Sequence, residues 1–140
     1  MTSGKIDCFL DSNILIHAAT GKRSDPRKYE IAYSLVLGQR FGVSGQSLAE
    51  FVNVTRKKPL LADEIVDEWL AYFDALPIAP VDNNLVRAGL MIARRYKISY
   101  YDAALLAAAD RLGAPVFYTE DLNHNQVYGS VIAINPFIEH

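Results

Sequence analysis

The feature that most constrains the fold is an alternation running from end to end, in which short apolar runs of strand length are followed by segments with helical spacing. Ile6 to Leu10, Phe41 to Ser44, Pro77 to Val81, Pro115 to Tyr118 and Val131 to Ile134 are too short for helices and read as strands. Strands that alternate with helices pair in parallel, because a parallel neighbour needs a crossover long enough to hold a helix. The chain is therefore expected to be α/β, with a central, mostly parallel sheet of about five strands, helices on both faces, and one domain over residues 1–140. The prolines around Ile78 and Ala79 place that strand at an edge, since proline cannot donate to a sheet ladder.

Local signals mark the helices. Ile14 to Ala19 continue as a brief helix after Asp11, and a polar loop from Gly21 to Asp25 follows. Asp25 before Pro26 is a helix start, with the cap just ahead of proline at the first helical position, and Gly38 stops that helix after Leu37. The next carries Leu48, Phe51, Val52 and Thr55 on one face, closed by Lys57, Lys58 and Pro59. Asp63 opens a helix whose inward stripe is Ile65, Val66, Trp69, Leu70 and Phe73. Asp82 or Asn83 caps another through Arg95, and Ser99 opens the last, which is rich in small residues from Ala103 to Ala109 and ends at Gly113.

A chain of 140 residues with 51% hydrophobic and 21% charged residues can bury one core and is neither disordered nor collagen-like. Its net charge of -2 argues against a protein that simply coats nucleic acid. An enzyme acting on nucleic acid remains open, because Arg56, Lys57 and Lys58, or Arg94, Arg95 and Lys97, form local clusters able to hold phosphates. The single cysteine, Cys8, lies in the first apolar run and reads as a core residue. No signal peptide or spanning segment is visible, and a cytoplasmic location is the expectation.

Four isolated acids stand out, Asp11, Glu50, Asp102 and Asp121, three of which follow or flank short apolar runs where an α/β protein presents groups to a ligand. Each also has a structural reading. Asp11, Ser12 and Asn13 are all capping residues; Glu50 shares a polar helix face with Gln46, Ser47, Asn53 and Lys57; Ser99 and Asp102 have capping-box spacing; and Asp121 follows Thr119 and Glu120 at a strand end that reads equally as a solvated loop. If the four meet, two carboxylates about 4 Å apart repel by roughly 4 kcal/mol at an effective dielectric near 20. Such a cluster calls for a cation or for protons.

Taken together, FLDSNILIHA, SLAEFVNV, ISYYDAALLAAA and FYTEDLNHNQ resemble the PIN-domain family of metal-dependent ribonucleases, and are most similar to the VapC toxins of toxin–antitoxin pairs. The resemblance spans nearly the whole chain. It implies a PIN-like three-layer fold, with Asp11, Glu50, Asp102 and Asp121 as the catalytic and metal-binding quartet and with Asn13 and Thr119 as supporting polar groups. Glu120, beside Asp121, is the other acid that this strand end offers to the metal. Within the quartet, Asp11 and Asp102 are expected as principal ligands, Asp121 as completing the site, and Glu50 as positioning a second ion or a water. The resemblance further implies an RNA substrate, a VapB-like antitoxin partner and a homodimer, for which Trp69 and Tyr72 offer aromatic surface, although core packing explains Trp69 equally well.

Carboxylates without a histidine or cysteine ligand set select a hard ion, Mg²⁺ or Mn²⁺, and disfavour zinc. His17, His124 and His140 lack zinc-site spacing and read as surface or polar core residues. The chemistry implied is metal-assisted phosphodiester hydrolysis. Two alternatives compete with it. A phosphotransferase using the first Asp as nucleophile needs another Asp two residues on, where this chain has Asn13. A catalytically silent PIN-fold RNA-binding or interaction module would keep the fold and show no dependence on metal.

Overall fold

The computed structural model describes residues 5–21, 25–57 and 60–138. Lys22, Arg23 and Ser24 of the polar loop, Lys58 and Pro59 at the end of the third helix, the first four residues, Glu139 and His140 lie outside the described residues.

The elements follow in the order β1 (Cys8–Leu10), α1 (Ser12–Thr20), α2 (Pro26–Gly38), β2 (Phe41–Ser44), α3 (Gly45–Lys57), α4 (Asp63–Asp74), β3 (Ile78–Ala79), α5 (Asn83–Tyr96), α6 (Tyr100–Arg111), β4 (Val116–Tyr118), β5 (Val127–Tyr128) and β6 (Val131–Ile134). The helix starts obey the expected chemistry. Asp25, Asp82 and Ser99 each accept a backbone N–H of the first turn, from Lys28, Leu85 and Asp102 respectively.

The six strands form one sheet in the order β3-β2-β1-β4-β6-β5. Every neighbouring pair is parallel except β5 with β6. The expectation of about five strands thus falls one short. Val127 and Tyr128 form a brief edge strand that reaches β6 through Gly129 and Ser130, and Gly129 takes φ 64°, a region glycine enters without a steric penalty. This strand follows a polar stretch and is two residues long, so no apolar run announces it.

Alternation along β1 divides the core between the two faces of the sheet. Cys8 and Leu10 join Ile14, Leu15, Phe41, Val43, Phe51 and Phe73 beneath α1 to α4. Phe9 points the other way, meeting Phe117 edge to face at 5.4 Å, and packs with the interior of α6. Helix α6 is buried from Ala103 to Ala109 without a break, five alanines and two leucines that are apolar all round. It lies against α5 at Gly89, where an added Cβ would stand 3.0 Å from the Ala104 Cα.

Two assignments of facing change. Ile65 is exposed, and the inward stripe of α4 is Val66, Trp69, Leu70 and Phe73, which keeps strict helical spacing. Ser47, read as part of a polar face, is buried, and its N–H reaches the Ser44 hydroxyl at 3.1 Å at the start of α3.

Candidate active site

From β1 the chain builds outward to β2 and β3, then returns to place β4 on the other side of β1. Neighbouring strands therefore lead their connections in opposite directions, and a crevice opens at their carboxyl ends. Asp11 follows β1 directly, and Thr119, Glu120 and Asp121 follow β4 directly. The Asp11 N–H extends the ladder to the Tyr118 carbonyl at 3.2 Å, which holds the two strand ends in register.

Asp11 precedes α1 with extended backbone, yet its side chain makes no capping bond to the helix. Its carboxylate turns instead into the crevice, accepting the Thr119 hydroxyl at 2.7 Å and the Ser12 hydroxyl at 3.3 Å. Only 3% of Asp11 is exposed. Burial is the main reason its carboxyl is pushed up to about 7; the Thr119 bond works against this, while the charges of Asp121 and Glu50 add to it.

The other acids approach from three directions. Glu50, on α3, is half-buried and 3.4 Å from the Ser12 hydroxyl. Burial raises its pKa, opposed by that contact and reinforced by Asp102 and Asp121. Asp102, in the first turn of α6, meets the Ser99 hydroxyl at 3.0 Å, and its pKa is raised by burial and then by Asp121. Asp121 is exposed; its N–H donates to Thr119 Oγ1 at 3.1 Å, and its carboxylate accepts the Asn13 side-chain amide at 3.3 Å.

The negative charge of Asp121 thus reaches all three other acids. The structure brings Asp11, Glu50, Asp102 and Asp121 to one place, together with Asn13 and Thr119. The solvated-face reading of Glu50 and the cap reading of Asp11 both give way.

The family model of the PIN domain matches residues 8–130. The chain belongs to the PIN-domain family. Solved structures with the same fold include a toxin–antitoxin complex from Klebsiella pneumoniae, with a TM-score of 0.69 and 17% identity over 93% of this chain and 98% of that one. VapC20 of Mycobacterium tuberculosis, a sarcin–ricin-loop-cleaving toxin, aligns with a TM-score of 0.66 and 16% identity over 82% and 90%. VapBC2 from Rickettsia felis, bound to a DNA fragment from its promoter, gives a TM-score of 0.61 and 15% identity over 90% and 96%. At these identities the likeness is one of fold. Comparison with curated protein sequences finds no significant match.

Within this PIN domain the two acids after β4 part company. Glu120 is taken by Lys28 at 2.7 Å and lies 3.7 Å from His17 Nε2, whereas Asp121 meets Asn13 and faces the other acids. Donors at the centre are oxygens alone, which suits a hard divalent ion. Among the described residues, however, no three His, Cys, Asp or Glu side chains close into a ready metal-holding group. Ser12 instead lies between Asp11 and Glu50, and Thr119 between the Asp11 carboxylate and the Asp121 N–H, while Asn13 holds Asp121 and Ser99 holds Asp102.

Ser12 is the residue at the centre that the sequence did not single out beyond capping. Its one hydroxyl proton faces both Asp11 and Glu50, so it serves one of them at a time unless a carboxyl carries a proton. The signal was the run of three polar residues after β1, more than a cap requires. Lys28 and His17 gave no such signal, because Glu120 is 92 residues from Lys28 in sequence.

Proposed function

We propose that the chain is a divalent-metal-dependent endoribonuclease, the toxin of a VapBC-type pair, cutting RNA by phosphodiester hydrolysis. The observation that carries this reading is the meeting of four carboxylates at the crevice between β1 and β4, with the Asp11 carboxyl raised by burial first and then by the charges of Asp121 and Glu50. Membership of the PIN family and the shared fold with toxins support it.

Asp11 and Asp102 are the principal ligands in this proposal, Asp121 completes the set, and Glu50 orients a second ion or the attacking water. A bound Mg²⁺ or Mn²⁺ would supply charge to hold a scissile phosphate and acidify a water. Thr119 fixes the orientation of Asp11 and, through its acceptor lone pair, the backbone of Asp121; Asn13 turns the Asp121 carboxylate toward the centre. Burial of Asp11 limits competing water at the inner end of the site.

Incubation of the purified chain with total cellular RNA, followed by mapping of new ends, tests the activity. Cleavage that stops with chelator and returns with Mg²⁺ or Mn²⁺ is the expected result; an inert module would leave RNA intact in both conditions. A VapB-like antitoxin and a homodimer complete the reading, and a cytoplasmic location goes with it. Light scattering behind size exclusion checks the dimer, and a monomer at micromolar concentration would contradict it.

A further inference from the structure

Glu120 stands next to Asp121 yet turns away from the acids, and its environment is specific. Lys28, in the first turn of α2, pairs with Glu120 Oε2 at 2.7 Å, while His17 of α1 lies 3.7 Å from Oε1. Their side chains are between 21% and 29% exposed, so this ion pair is sheltered compared with an ordinary surface pair. The same two residues grip Phe137. Lys28 Nζ lies 5.1 Å from the centre of its ring, His17 meets the ring edge-on at 5.4 Å, and Arg27 donates to its carbonyl. A second tie lies four residues beyond Glu120, where His124 Nδ1 accepts the Asn135 N–H at 3.0 Å. The segment carrying Asp121 is thus fastened on both sides of that residue.

We propose that Lys28, through Glu120, is a positioning residue that sets the Asp121 backbone for metal binding and phosphodiester cleavage. Asp121 needs such help, since it is exposed and its side chain is held by one bond of 3.3 Å from Asn13. The Thr119 hydroxyl fixes Asp121 from the inner side, and the Lys28–Glu120 pair fixes its neighbour from the outer side. This inference rests on the metal-dependent reading given above.

For the loss of Lys28, simple electrostatics and positioning predict opposite signs, which makes the idea testable. Removing the Lys28 charge near a cluster of acids would, by charge alone, tighten cation binding, whereas removing the Glu120 charge would weaken it. A positioning role requires both losses to weaken it. The experiment is calorimetric titration of Mn²⁺ into the full chain and its Lys28→Met, Glu120→Gln and Lys28→Glu/Glu120→Lys variants, with RNA cleavage measured alongside. Lys28→Met keeps an unbranched aliphatic side chain while removing the charge that lies over Phe137.

Both single variants are expected to bind Mn²⁺ about 10-fold more weakly, the low end for groups that orient metal ligands. Their kcat falls while KM for RNA stays near the wild-type value, and the swapped pair recovers most of both losses. Lys28→Met that binds Mn²⁺ as tightly as wild type, or more tightly, overturns the proposal while leaving the nuclease reading in place. A wild-type chain that binds no Mn²⁺ removes both. Should Lys28→Met not fold, the swapped pair decides: recovery supports positioning, and a loss equal to that of Glu120→Gln contradicts it.

Discussion

At the scale of single residues, the site is governed by the cost of a buried charge. Asp11 is the most enclosed of the four acids, and its carboxyl, raised from 3.8 to about 7, holds its proton more tightly in the folded chain than in the unfolded one. The stability that this proton contributes is full below pH 3.8 and is lost as pH rises through 7, at roughly 1.4 kcal/mol for each pH unit between those two values. Asp11→Asn resembles the protonated form, so in chelating buffer it should melt increasingly above wild type as pH is raised from 4 to 8. Melting curves across that range check it, and a constant difference would contradict the burial argument. On the proposed mechanism, in which Asp11 is a metal ligand, the same variant should lose cleavage on the order of 100-fold or more, because such a ligand supplies several kcal/mol of transition-state stabilisation. Thr119 makes a different prediction. Its hydroxyl donates to Asp11 and accepts from the Asp121 N–H, so Thr119→Val should cost about 1–3 kcal/mol in denaturant unfolding and reduce activity, whereas Thr119→Ser should keep most of both.

At the scale of elements, what could be read in advance was whatever local chemistry determines. Asp25–Pro26, Asp82 and Ser99 start helices because a side-chain oxygen satisfies a free N–H within three residues, and such a pattern is visible in the sequence. Strand β5 was not visible, since it exists by pairing with β6 around a turn and has no apolar run of its own. Ile65 departs from its expected inward facing for a related reason: it lies one position outside the stripe that Val66 and Phe73 define, and only packing against the sheet decides the edge of such a stripe. The approach of α5 to α6 is likewise a tertiary fact. Gly89 sits where a methyl group would press on the Ala104 Cα and the Tyr100 ring, at 3.0 and 3.1 Å, and backbone yields less readily than side chain. Gly89→Ala should therefore destabilise by about 1–3 kcal/mol despite the helix-favouring nature of alanine, as measured by urea unfolding. A stabilised variant would show that the two helices separate easily.

At the scale of the whole molecule, the sheet order does what no single segment could. By returning β4 to the side of β1, it sets Asp11 and Asp121 at one crevice although they are 110 residues apart, and α3 and α6 bring Glu50 and Asp102 toward them. Asp11, Asp102 and Asp121 were legible as acids at element boundaries and Glu50 only as one acid on a polar helix face, and their meeting was implied by resemblance and became physical only with the topology. Ser12 as a bridge and Lys28 as an outer clasp were not legible, because both act on groups distant in sequence. On the proposed reading the site binds a cation in the folded state alone, so Mg²⁺ at 100 times its dissociation constant should stabilise the chain by about 2.7 kcal/mol, an effect that Asp102→Asn removes. The most direct test of the account is the rate of RNA cleavage measured against Mg²⁺ concentration for the wild-type chain and Asp102→Asn. A saturable, chelator-sensitive rate in the first and its loss in the second, with unchanged circular dichroism, is the predicted result; full activity of Asp102→Asn, or wild-type cleavage indifferent to the ion, would contradict it.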